Sequence, residues 1–148
     1  MVGYIVLGIA VLAILWAVSV YNGLVPRRNM VAEGWSGIET QLKRRADLIP
    51  NLVETVKGYA AHEGTTFDEL ARLRSASQGA QEVGQRAQTE QAITAAIGRV
   101  MAVAEAYPQL RAAENFQSLQ KDLAEIEDQI QLARRYYNGA VRDYNVTT

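Results

Sequence analysis

The residues best able to do chemistry are a single histidine and a few paired carboxylates. His62 and Glu63 begin the zinc-protease pattern His-Glu-x-x-His, but the residue four positions after His62 is Thr66. Because a zinc ion needs several protein ligands, one histidine in a chain without cysteine predicts no metal site. The absence of cysteine also excludes disulfides and thiol catalysis.

Two carboxylate pairs, Asp68 with Glu69 and Glu125 with Asp128, are the remaining candidates for acid–base catalysis. Catalytic carboxylates work in a cleft with convergent polar groups. Both pairs fall on the polar faces of helix-patterned segments, where acidic residues are usually solvated charges. We therefore expect no catalytic residue and no cofactor, and we interpret the chain as a non-enzyme.

The charge balance gives no sign of a polyanionic partner. The chain has 15 basic and 16 acidic side chains, for a net charge of −1. Because no net positive field would attract nucleic acid, we expect none to bind. The basic cluster at 43–45 is expected to be a solvated face or to form intramolecular ion pairs.

A long uncharged segment lies at the amino terminus. Residues 2–21 contain no Asp, Glu, Lys or Arg and would form about 30 Å of helix, the thickness of a bilayer's hydrocarbon core. Aromatic rings favour the headgroup layers, and those toward the two ends of this segment are Tyr4, Trp16 and Tyr21. A cleaved signal peptide is the alternative, but no basic residue precedes the segment and residues 17–19 form a weak cleavage site. We interpret residues 1–21 as a transmembrane anchor.

The flanking charges predict how the anchor is oriented. Arg27 and Arg28 lie just beyond it, whereas no basic side chain precedes it. The positive-inside rule then places a short amino terminus outside and the rest of the chain in the cytoplasm. Tyr21, Arg27 and Arg28 are the expected membrane-proximal residues, in contact with lipid.

The remaining domain, residues 22–145, has the composition and periodicity of helices. Apolar residues recur at three- and four-residue steps in four segments, which are residues 26–61, 66–76, 86–107 and 109–144. Four helices with short connections pack up-down-up-down. The predicted fold class is all-α, with a single N-terminal transmembrane helix followed by an antiparallel up-down four-helix bundle whose first and fourth helices are long.

Three local features modify this plan. Pro50 is expected to kink or break the first domain helix near residues 48–49, as a static kink or as a hinge. Residues 78–91 are glutamine-rich and are expected to be a polar loop or a fraying helix end. Residues 146–148 are a tail.

The fourth predicted helix carries a heptad seam. Its apolar residues alternate steps of three and four, at Phe116, Leu119, Leu123, Ile126, Ile130, Ala133, Tyr137, Ala140 and Tyr144. The first and fourth helices are longer than the other two, so their membrane-near stripes are expected to be uncovered. Exposed apolar stripes indicate a partner. We expect copies to associate through five of these stripe residues, which are Trp35, Ile38, Tyr137, Val141 and Tyr144.

Several long motifs resemble the LemA family. They are Gln41-Leu-Lys-Arg-Arg45, Asp47-Leu-Ile-Pro-Asn-Leu-Val-Glu-Thr-Val-Lys-Gly-Tyr-Ala60, His62-Glu63, Ala104-Glu-Ala-Tyr-Pro-Gln-Leu110, Asn115-Phe116, and Ala133-Arg134 followed by Tyr137-Asn138 and Tyr144-Asn145. This resemblance covers the whole chain. It implies a bacterial membrane protein with an outside amino terminus and a cytoplasmic helical bundle, in a family with no established enzymatic activity or cofactor. Some relatives take part in magnetosome formation, which makes membrane organisation the theme.

Two functions follow as hypotheses. The first is a self-associating, single-pass scaffold in the bacterial inner (plasma) membrane that organises or shapes a membrane region, with lipid and further copies of itself as partners. The second is an adaptor whose helical bundle recruits another membrane protein, such as a protease or a signalling complex. A stoichiometric partner without a large homo-oligomer would favour the adaptor.

Overall fold

A computed structural model describes residues 2–60, 62–79 and 83–146. Within these ranges every regular element is a helix, which confirms the predicted all-α class. The five helices are α1 (Val2–Lys57), α2 (Gly64–Gly79), α3 (Val83–Glu105), α4 (Pro108–Ala112) and α5 (Glu114–Asn145). The chain divides into two compact units, of which unit 1 is Met1–Glu39 with Gln131–Thr148 and unit 2 is Thr40–Ile130.

Helix α1 contains both the apolar segment and the first helix of the domain. It continues through Pro26 and Pro50 to Lys57, so the break that was one of two outcomes expected at Pro50 does not occur. A proline has no N–H, and the carbonyl four residues before it loses its helical donor. For Pro50 that carbonyl belongs to Ala46, and it accepts a hydrogen bond of 2.7 Å from Nε of Arg74 on α2. A side chain from another helix thus replaces the missing backbone bond.

The prediction of a single helix over residues 109–144 is wrong, because two helices, α4 and α5, occupy this range. Ala113 has an extended backbone, with φ −69° and ψ 125°, and separates α4 from α5. In an unbroken helix, Leu110 and Phe116 would point about 120° apart, because six residues turn the helix by about 600°. With the interruption, both side chains are buried in the core.

The segment predicted as a polar loop or fraying helix end, residues 78–91, is helical up to Gly79 and again from Val83. Residues 80–82 of that prediction lie outside the described residues. The early turns of α3 carry Glu90, whose carboxylate pairs with buried Arg45 of α1. This tertiary contact stabilises the first turns of α3, whose glutamine-rich sequence favours a helix only weakly.

The core lies in unit 2 and is built from the faces that the spacing predicted. Its buried apolar side chains from the five helices are Ile49, Leu52, Val56, Phe67, Leu70, Ile93, Ala96, Val100, Ala104, Leu110, Phe116 and Leu123. All nine residues of the predicted heptad seam on α5 are buried or half-buried. Tyr59, which falls within the predicted helical segment at residues 26–61, is exposed and lies beyond the end of α1 at Lys57.

Candidate functional site

The predicted membrane span is fully exposed within the chain. Every side chain from Val2 to Tyr21 lies on the surface of unit 1, although the segment is apolar all round. A helix that is apolar on all sides needs an apolar environment, which a bilayer supplies. Among the described residues α1 is the one helix long and apolar enough to cross a membrane.

The expected lipid contacts follow the span on the same helix. Tyr21 and Arg28 are exposed, and Arg27 is half-buried. Their contact with lipid stays a prediction.

All five predicted interface residues lie in unit 1, and each is buried or half-buried. The rings of Trp35 on α1 and Tyr137 on α5 have centroids 5.6 Å apart and are tilted by 57°. Ile38 is buried, and Val141 and Tyr144 are half-buried. The stripes expected to be uncovered are therefore largely covered within one chain. Their role in self-association stays a prediction.

Gly34 allows α1 and α5 to come close, and sequence reasoning missed it. A Cβ atom built on Gly34 would lie 3.0 Å from Cδ1 of Tyr136 and 3.1 Å from Cα of Tyr137. Gly37, one helical turn later, has nothing within 4 Å of such an atom. An isolated glycine inside a helical pattern costs stability and can indicate a close contact, but Gly37 gives the same pattern without one.

Enlarging Gly34 is expected to destabilise unit 1. Gly34→Leu forces its side chain against the backbone at Tyr137, and overpacking of this kind costs about 1–3 kcal/mol. The matched control Gly37→Leu enters open space and gains helix propensity. When thermal unfolding of the full chain in mild detergent is followed by circular dichroism, we expect a lower unfolding temperature for Gly34→Leu than for Gly37→Leu. The reverse order would contradict the close contact.

A buried polar cluster lies in unit 2 around Arg45, which is 3% exposed. Its Nη1 donates to Oγ1 of Thr94 and to a carboxylate oxygen of Glu127, each at 2.7 Å. Its Nη2 donates to the carboxylate of Glu90 at 2.5 Å and to the Glu90 backbone carbonyl at 3.2 Å. The hydroxyl of Ser77 donates to the other carboxylate oxygen of Glu90. Arg45 thus joins α1 to α3 and α5, and Ser77 links α2 to the same cluster through Glu90.

This arrangement confirms one expectation for the basic cluster at 43–45. Arg45 forms intramolecular ion pairs, whereas Lys43 and Arg44 are exposed on the solvated face. An arginine stays protonated in proteins and cannot act as a base. Because its Nη groups donate to protein acceptors, Arg45 holds helices together rather than presenting its charge to a ligand.

The predicted carboxylate pairs remain on the surface. Asp68, Glu125 and Asp128 are exposed, as is His62. Glu69 forms a surface ion pair of 2.8 Å with Arg99 across α2 and α3. The structure does not bring these groups together.

An open cleft of about 280 Å³ lies between α3, α4 and α5 of unit 2. Its lining residues are Met101, Glu105, Arg111, Phe116, Gln117 and Gln120, so it contains none of the carboxylates singled out from the sequence. Across residues 2–60, 62–79 and 83–146, no group of three or more His, Asp or Glu side chains could hold a metal ion.

Comparisons with known proteins identify the family. The LemA family model matches residues 34–148. The sequence is also 25% identical to magnetosome protein MamQ 2 of Paramagnetospirillum magneticum and 24% identical to magnetosome protein MamQ of Magnetospirillum gryphiswaldense. Both alignments cover 85% of this chain but 56% of the relative, so the chain spans little more than half the length of these proteins. Since the family match covers most of its residues, the chain belongs to the LemA family.

Proposed function

We propose that this LemA-family chain is a membrane-anchored, self-associating scaffold that organises or shapes a region of a bacterial inner membrane, without catalysis. The observation that carries the proposal is that helix α1 runs without interruption from the candidate span to its contact with α5 in unit 1. Its candidate span runs into residues that contact α5 without a break in the helix. Gly34, where α5 approaches, is thirteen residues beyond Tyr21, which corresponds to about 20 Å of helix. Every anchored copy would then present the same surface at the same height.

The proposal includes an orientation and a topology. The amino terminus is outside and residues 22–145 are cytoplasmic, which Arg27 and Arg28 beyond the span support. The four longer helices of this domain form an antiparallel up-down bundle, which the short connections between them support. Tyr21 and the two arginines meet the headgroup layer.

The relatives support a role in membrane organisation. The MamQ proteins are named as magnetosome proteins, and a magnetosome is a membrane compartment. We extend the role in membrane organisation to this chain, but we do not extend a magnetosome function to it. The half-buried side chains of Trp35, Tyr137, Val141 and Tyr144 keep part of their apolar surface available to a neighbouring copy.

The mass of the full chain in mild detergent tests the proposal. We expect a large, regular assembly by light scattering, visible as uniform particles by electron microscopy. A monomer would contradict self-association. A single copy bound stoichiometrically to a different membrane protein would favour the adaptor hypothesis instead.

A charge placed in the seam is expected to abolish the assembly. Tyr137→Asp puts a carboxylate into apolar surroundings, which is costly whether the seam is closed by α1 alone or also by a second copy. The matched control is Asn138→Asp, which introduces the same charge on the exposed neighbouring residue. We expect the control to keep the wild-type mass; equal masses for all three chains would contradict a role for the seam.

A further inference from the structure

Arg27 is a half-buried cation just beyond the candidate span. The arginine side chains that are buried or half-buried in the part of the chain that the structure describes are Arg27, Arg45, Arg74 and Arg86. Arg45 pairs with two carboxylates, Arg74 donates to a backbone carbonyl, and Arg86 also has an interaction partner. No hydrogen bond or ion pair joins Arg27 to another described residue. Because a charge removed from water needs a partner, Arg27 requires an acceptor from outside the chain.

Helix α5 covers Arg27. The side chains of residues 2–23 on α1 are all exposed, and covered residues begin only after them. Most of the covered residues recur at steps of three and four, at Leu24, Arg27, Val31, Gly34, Trp35 and Ile38. Gly34 in this stripe lies against Tyr136 and Tyr137 of α5. Since the end of α5 is the other described helix of unit 1, it covers the rest of the stripe as well.

The described neighbours of Arg27 supply it with no counter-charge. The residues one turn away on α1 are Gly23, Leu24, Met30 and Val31, and none of them has a side-chain acceptor. In the last turns of α5, the carboxylate of Asp143 lies 3.7 Å from Nε of Arg142. The stripe therefore holds a cation in an apolar setting at the end nearest the span.

The position of Arg27 indicates where its acceptor comes from. Arg27 lies six residues beyond Tyr21, which corresponds to about 9 Å of helix. Side chains of a helix tilt toward its amino terminus, so the guanidinium extends back toward the span. The headgroup layer occupies roughly 5–8 Å beyond the hydrocarbon core. In a chain anchored by this span, the guanidinium reaches the depth of the lipid phosphates.

We propose that Arg27, held between α1 and α5, binds the phosphate of an anionic lipid. The proposal rests on the membrane anchoring proposed above and names the class of lipid. A guanidinium forms paired, charge-assisted hydrogen bonds with phosphate oxygens. An anionic headgroup fits better than a zwitterionic one, because the neighbouring Arg28 repels an ammonium group. The bound lipid neutralises the charge beneath α5 and stabilises the packing of its last turns on α1.

Hydrogen exchange of the full chain in lipid nanodiscs tests the site. Nanodiscs of phosphatidylcholine are compared with nanodiscs of phosphatidylcholine and phosphatidylglycerol in equal parts, and the readout is the exchange of the backbone amides of residues 138–145. We expect several-fold slower exchange with phosphatidylglycerol, because a lipid that binds the packed state stabilises it. Arg27→Gln should lose this difference. Arg28→Gln, the matched control, removes the same charge from the exposed neighbour and should keep most of the difference.

Three outcomes would overturn the site. Equal losses for Arg27→Gln and Arg28→Gln would indicate diffuse attraction to the membrane instead of a site at Arg27. In phosphatidylcholine alone, Arg27→Gln removes an unpaired charge and should exchange no faster than the wild-type chain; faster exchange would mean that Arg27 already has an acceptor in the protein. Equal slowing by inorganic phosphate in phosphatidylcholine nanodiscs would assign the site to a soluble anion.

The lipid site and the scaffold can fail separately. If the wild-type chain is a monomer by mass while phosphatidylglycerol protects α5 through Arg27, self-association fails and the lipid site stands. If the chain is a large assembly whose exchange is the same in both kinds of nanodisc, the lipid site fails and self-association stands.

Discussion

Replacing Arg45 with methionine is expected to destabilise unit 2 by about 3 kcal/mol, because removing one partner of a buried ion pair leaves the other charge uncompensated. The largest part of this cost falls on Glu90, whose side chain is only 12% exposed and cannot turn into water. Glu127 is 34% exposed and can recover hydration, so its share is smaller. Native-state hydrogen exchange of core amides, such as those of Leu52 and Val100, measures the loss in the full chain.

Two variants separate the ion pair from simple loss of a charge. Arg44→Met is the matched control, because Arg44 is the exposed neighbour of Arg45 and donates to the side chain of Gln41 at 3.3 Å. We expect Arg44→Met to leave the hydrogen exchange of the core amides almost unchanged. Arg45→Met combined with Glu90→Gln should recover part of the lost stability, since the buried carboxylate is gone. If Arg45→Met behaves like Arg44→Met, the buried cluster does not stabilise the helices.

Replacing Arg74 with methionine is expected to cost about 1–3 kcal/mol, since it leaves the Ala46 carbonyl without a donor in a buried part of α1. The reason is specific to Pro50, which supplies no N–H to that carbonyl. In a Pro50→Ala background, the amide of residue 50 can donate to Ala46. The same Arg74→Met substitution should then cost clearly less.

A double-mutant cycle measures this coupling. Thermal unfolding of the wild-type chain, Arg74→Met, Pro50→Ala and the combined variant should give a coupling of about 1 kcal/mol or more. Arg72→Met serves as the control on α2, because Arg72 is exposed. Equal costs of Arg74→Met in both backgrounds would show that Arg74 does not replace the missing helical bond.

Local patterns in the sequence were sufficient for the all-α class and for the apolar faces of the longest helices. The apolar segment at residues 2–21, the heptad seam on α5 and the all-α class follow from composition and from spacings of three and four residues, because helix amphipathicity is a property of neighbouring residues. The long motifs shared with the LemA family also lie in the sequence, and the family match over residues 34–148 bears them out.

The tertiary structure decided everything that depends on distant partners. Arg45 is one of three consecutive basic residues in the sequence, yet its acceptors lie 45, 49 and 82 residues away. At Pro50, Arg74 of another helix donates to the carbonyl that the proline leaves without a helical donor, and the interruption at Ala113 allows Leu110 and Phe116 to share a core. Spacing along one helix shows which residues share a face, but not which residue of another helix each one meets. That pairing is set by packing across the fold, where a buried charge, an unpaired carbonyl and a close glycine contact each require one particular neighbour.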